Sequence, residues 1–236
     1  MGNFFSDFLS NDSAFGRFMN KAWIIIVSNI LFMFCTLPVV TIGPGLVALY
    51  HVMLKTLRLK GDVKPAREFW NGLKSNFKQA LILWILALLL ALVFYIEIAF
   101  CQQVGGFLTV FKYGLYMMAF LALIIFLYTL PVMAAFADTL PHLFRNAFFF
   151  AAQKPFNLII ILFFDIFPLY LTYSDPTYMP LYGFVWCTCG FGLLAMLGAT
   201  LLLPQFRPFL DKDLETMDGI SEEDREMDDL RKLDGL

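Results

Sequence analysis

ALILWILALLLALVFYIEIAFC, residues Ala80 to Cys101, decides what kind of protein this is. Glu97 is its only charged side chain, and about 20 apolar residues wound as a helix cross the roughly 30 Å hydrocarbon core of a bilayer. Four further runs have the same character: Ala22 to Val40, Val110 to Met133, Asn157 to Tyr173 and Leu181 to Leu203. The whole composition agrees. Of 236 residues 60% are apolar and only 15% charged, whereas a soluble domain carries about a quarter charged residues. The expected fold is therefore all-α: a polytopic membrane helical bundle of about five transmembrane helices in a single domain, 1–210, followed by an acidic tail, 211–236. The lipid bilayer is its first partner. A formal charge of −2 argues against a nucleic-acid partner.

Loop charge sets the expected orientation, because cytoplasmic loops retain Lys and Arg. All of the 17 Lys and Arg except Arg17, Lys21 and Lys112 fall between spans one and two, between three and four, or after five. The N-terminus is thus expected outside and the C-terminus in the cytoplasm. Gaining or losing one span would place both ends on the same side.

Spans one, three and five each carry a Leu-Pro step on the basic side: Leu37-Pro38, Leu130-Pro131 and Leu203-Pro204. Proline lacks a backbone donor and disrupts the preceding turn, so each step is expected to end its span. After the first, the breaker cluster Thr41-Ile42-Gly43-Pro44-Gly45 should precede a helix over Leu46 to Leu59, with a second over about Ala66 to Gln79. That second helix reads as amphipathic, with Phe69, Trp70, Leu73 and Phe77 on one stripe and Arg67, Asn71, Lys74, Ser75 and Lys78 opposite. Phe144 and Arg145 lie in a similar stretch before span four. These elbows either anchor the bundle at the interface or dock a partner through Arg67, Phe69, Trp70, Leu73, Lys74, Phe77, Lys78, Phe144 and Arg145.

Polar residues at depth complete the candidates. Asp165 sits mid-span beside Pro168, and an intramembrane carboxylate marks either a binding site or a polar group satisfying a kinked helix. Glu97 and Lys112 are placed to pair across the outer turn as a structural tether. His51 and His142 read as interfacial hydrogen-bonders. Cys187-x-Cys189 lacks the second pair or histidines that a metal site needs, so no metal or cofactor is expected. No Walker A, His-Glu-x-x-His, Gly-x-Ser-x-Gly or nucleotide fingerprint occurs, which points away from an enzyme. The acidic tail reads as a solvated end or, through Met227, Leu230 and Leu233, a short docking helix.

Met1-Gly2-Asn3-Phe4-Phe5, Leu37-Pro38-Val39-Val40-Thr41-Ile42-Gly43 leading to Ala48-Leu49-Tyr50, and Ser75-Asn76-Phe77-Lys78-Gln79-Ala80 resemble the YesL-like family of bacterial integral membrane proteins, a family of unknown function. The resemblance implies a bacterial inner-membrane location and association with carbohydrate ABC importers. On that basis the chain is expected to be a non-catalytic accessory subunit contacting importer permeases and their ATPase. The alternative is an autonomous small-solute transporter or channel with Asp165 as its midplane polar site.

Overall fold

The computed structural model describes residues 13–210 except 60–62, 105, 107 and 137. The acidic tail and the opening Met1–Phe5 motif lie outside the described residues. Among the described residues every regular element is helical. Six stretches are long and apolar enough to cross a membrane, where the sequence leads one to expect about five. The additional one is Val39–Arg58.

Ser13 caps the first helix, α1 (Ala14–Thr36), its hydroxyl accepting from Gly16 N at 2.9 Å. α1 stops where Pro38 takes up extended backbone. A single 3₁₀ turn, Val39–Thr41, follows, braced by Trp84 Nε1 donating to Val39 O at 2.9 Å. α2 then begins at Ile42 and runs to Arg58, so Gly43-Pro44-Gly45 lies inside the helix rather than before it. Proline is tolerated there because a first-turn N–H has no intrahelical acceptor in any case. The glycines permit close approach: a Cβ on Gly43 would lie 2.5 Å from Trp84 Cβ, and one on Gly45 3.0 Å from the Phe32 ring.

α3 (Pro65–Val104) fuses the expected elbow and span two into one helix of 40 residues. At 1.5 Å per residue it is about 60 Å long, twice the hydrocarbon thickness. α2 lies antiparallel along its first half: Gly43 meets Ala80 and Trp84, His51 meets Gly72, and Lys55 bonds Glu68. The second half of α3 is almost bare, with Cys101 its only buried residue beyond Leu83.

α4 (Leu108–Ala135) returns alongside α3, followed by α5 (Leu140–Gln153) and α6 (Pro155–Ser174). A 3₁₀ turn at Pro176–Tyr178 leads into α7 (Met179–Val185), a π-helical turn at Trp186–Gly190 and a last helix, α8 (191–210). Only the first Leu-Pro step ends a helix. α4 continues through Pro131 and α8 through Pro204, because the turns around them are held by burial. Leu130, Val132 and Met133 are core residues, as are Leu202, Leu203 and Phe206. Proline weakens a helix turn, but tertiary packing on both sides offsets that loss.

The molecule is thus built in two layers. In one, α2, the first half of α3 and the ends of α4, α5 and α8 enclose a continuous core centred on Val47, Leu49, Met53, Phe69, Leu143 and Phe206. Phe150 joins Phe136 and Phe206 there, with ring centroids 6.0 and 5.0 Å away. In the other, long stretches of α3, α4 and α6 expose Leu, Ile and Phe along most of their surface.

Candidate functional site

α3 carries most of the residues expected to dock a partner, and its packing divides them. Phe69 is fully buried and Leu73 nearly so; both face α2 and belong to the core. Trp70 and Phe77 point outward with Arg67, Asn71, Lys74, Ser75 and Lys78. The aromatic stripe expected opposite the cations is therefore split. A helical wheel places Phe69 beside Trp70, but α2 covers only the sector from Phe69 through Gly72 to Ala80. Phe144 is half-buried against the core and Arg145 is exposed.

A cleft of about 460 Å³ at the base of the basic layer gathers His51, Lys55, Arg58, Leu59 and Leu210. Lys55 Nζ donates to Glu68 Oε2 at 2.6 Å, and His51 Nε2 lies 3.7 Å from the same oxygen. Glu68 neutralises part of this charge and leaves Arg58 exposed at the rim. The cleft follows from α2 and α3 sharing one register. Lys55 and Arg58, one turn apart at the end of a helix, were the sequence signal for it.

In the apolar layer Asp165 is partly buried on α6 and lies within electrostatic reach of Tyr50. Tyr50 is itself buried, with Gly198 packed against its ring. Asp165 is thus turned toward the bundle, as a carboxylate at this depth should be. Pro168 does not interrupt α6. Its carbonyl accepts from Thr172 Oγ1 at 2.8 Å, and Trp186 Nε1 donates to Thr172 Oγ1 at 2.9 Å, tying α6 to the π turn.

Glu97 and Lys112 do not pair. Lys112 Nζ lies over the Tyr113 ring, 5.2 Å from its centroid, and the α3–α4 link is made instead by Gln102 Nε2 donating to Tyr116 OH at 3.2 Å. Both charged groups sit close enough to the helix ends to reach water singly. His142 pairs with Asp138 at 3.1 Å, and Cys187 and Cys189 fall within the π turn as free thiols.

Asn29 is the polar residue that sequence reasoning passed over. It is fully buried on α1 and donates from Nδ2 to the carbonyls of Trp186 and Cys187 at 2.9 and 2.8 Å. A π turn alters the helical ladder and marks a local irregularity; away from water, freed backbone groups need partners. Asn29 supplies them, and nothing local in the sequence announces a π turn.

Residues 25–98, which span most of α1, all of α2 and α3 as far as Ile98, match the family model described as "Protein of unknown function, DUF624". This stretch belongs to the DUF624 family. It covers the same segments whose motifs resemble the YesL-like family. The DUF624 stretch therefore contains Asn29, the close-packing glycines and the Lys55–Glu68 pair. The chain is also similar to an uncharacterized protein, YteU of Bacillus subtilis (strain 168), with 25% identity over 134 residues, 54% of this chain and 60% of YteU. No solved structure matches the chain.

Proposed function

We propose that this chain is a non-catalytic membrane subunit that crosses the bilayer five times and docks a partner through its basic layer. The observation that carries the reading is the division of α3. Its first half bears Arg67, Lys74 and Lys78 and packs against α2, whereas its second half exposes uninterrupted apolar surface. With twice the length a bilayer needs, α3 leaves its charged half outside the hydrocarbon. α2 runs beside that half and so stays on the same side, despite its apolar composition.

Five crossings, with the basic layer cytoplasmic by the positive-inside rule, put the N-terminus outside and the C-terminus inside a bacterial cell membrane. The base cleft with Lys55 and Arg58 then faces the cytoplasm as a surface suited to an acidic partner segment. Resemblance to the YesL-like family supports a carbohydrate ABC importer as that partner. The test is a mild-detergent pull-down of the tagged chain from its own membranes, with the co-purifying chains identified. Stoichiometric importer permeases and ATPase are expected; recovery of the chain alone would overturn the reading.

Asp165, turned toward buried Tyr50, supports the second reading of an autonomous transporter. That reading requires solute flux in vesicles containing this chain alone, and loss of the flux in Asp165→Asn.

A further inference from the structure

One face of α3 joins a polar cavity to an apolar groove, and nothing in the fold fills either. The cavity, about 870 Å³, lies at the boundary between the two layers and is lined by Trp70, Lys74, Phe77 and Lys78 of α3, with Asp138 and Thr139 across from them. The groove, about 490 Å³, starts one to two turns further along at Leu83 and follows Ala87, Leu90 and Phe94 against Ala119 and Ala122 of α4. Leu83 to Ile98 spans about 22 Å along the helix, more than the roughly 15 Å depth of one leaflet. Alanines on both helices leave the groove open where larger side chains would have closed the α3–α4 contact. Phe144, from α5, lines it too.

We propose that this composite site holds one anionic phospholipid, its phosphate between Lys74 and Lys78 and an acyl chain in the α3–α4 groove. Three features fit that occupant. The groove is apolar and continuous with the exposed, lipid-facing surface of α3, so acyl chains are the solvent that reaches it. The two ammonium groups stand one helical turn apart, immediately before the charge-free stretch from Gln79 to Ile96, at the level of lipid phosphates. Trp70, about half exposed, is the amphipathic ring that settles at headgroup depth. The one carboxylate in the cavity does not oppose an anion strongly. Asp138 Oδ1 already accepts from Thr139 N at 2.7 Å and pairs with His142 at 3.1 Å.

The test uses the purified full chain, delipidated in detergent and titrated with phosphatidylglycerol or phosphatidylcholine, with bound lipid counted by native mass spectrometry. Retention of a single phosphatidylglycerol is expected, with a preference over phosphatidylcholine of about tenfold or more, given what each Lys contributes near an anionic headgroup. K74Q/K78Q, at two exposed positions that leave the core untouched, should erase the preference. K154Q, also exposed, should keep it. Ala87→Trp, which fills the groove, should weaken both lipids alike. Equal binding of the two lipids by the natural chain, or an unchanged preference in K74Q/K78Q, would overturn the proposal. So would displacement of the lipid by excess inorganic phosphate, which would make this a site for a free anion.

Discussion

Gly192 donates its backbone N–H to Asn29 Oδ1 at 2.9 Å, across the crossing of α1 and α8. A Cβ on Gly192 would lie 2.9 Å from Ile25 Cγ2 and 3.0 Å from Ile25 O, so the bond exists because a glycine lets the two backbones approach. Small residues serve this purpose at helix crossings in lipid. One amide thus closes three backbone valences: a donor on Gly192 and the two carbonyls of the π turn.

Asn29→Leu keeps the volume and removes all three bonds. Interhelical hydrogen bonds in membranes contribute about 0.6 kcal/mol each on average, with single cases near 1.7, so a loss of about 1–3 kcal/mol is expected. Asn29→Asp retains the acceptor for Gly192 but loses both donors and should also be destabilised. Thermal unfolding in detergent reads both variants. A melting temperature for Asn29→Leu equal to that of the natural chain would remove the clamp from the account.

Two glycines separate packing from helix propensity. A Cβ on Gly72 would sit 2.9 Å from His51 Cβ and Cγ, whereas one on Gly183 would meet nothing within 4 Å. Because Cβ is fixed to the backbone, Gly72→Ala must push α2 away from α3, at a cost of about 1–3 kcal/mol. Gly183→Ala should lose nothing, since alanine is the better helix former. Equal melting temperatures for the two variants would contradict the α2–α3 register.

The same register predicts a pH dependence. The hydrogen bond from Lys55, with the nearby charges of Lys55 and His51, holds the Glu68 carboxyl below the usual carboxylate range against the opposing effect of burial. A group whose pKa falls on folding stabilises the native state above its unfolded value, near pH 4.3, and that contribution vanishes as pH falls through the folded value. Lys55 is more than a third exposed, so solvent screening keeps the effect under about 1 kcal/mol. Between pH 5 and pH 3 the natural chain should lose more stability than Glu68→Gln. Parallel unfolding curves would show that the pair contributes nothing.

The spans were legible because hydrocarbon thickness imposes a length on apolar runs, and the basic layer because charge stays out of lipid. Where the reading failed, a neighbouring helix decided the outcome. Pro131 and Pro204 carry the local signal for a helix end, yet buried Val132 and Phe206 hold their helices intact. Phe69 and Trp70 are adjacent on any helical projection, and only the position of α2 makes one core and the other surface. Asn29 looked like an ordinary polar residue in an apolar span, since its partners lie more than 150 residues away and are backbone atoms. Glu97 and Lys112 had complementary charge without the need to pair.

Composition alone allows six crossings, whereas the placement of α2 beside the charged half of α3 predicts five, and the location of the N-terminus separates them. If α2 crossed, α1 would have to run the other way and residue 11 would lie on the same side as the α2–α3 turn. If α2 stays beside Lys55–Glu68, residue 11 and the α3–α4 turn lie together on the outer side. With the native Cys35, Cys101, Cys187 and Cys189 replaced, single cysteines at Asn11, Leu59 and Gly106 can be labelled on intact cells with a membrane-impermeant maleimide. Asn11→Cys and Gly106→Cys should label directly, and Leu59→Cys only after permeabilisation. Protection of Asn11→Cys together with labelling of Gly106→Cys would establish the sixth crossing. It would also move the exit of α1 to the outer face and detach the basic cleft from the end of α1.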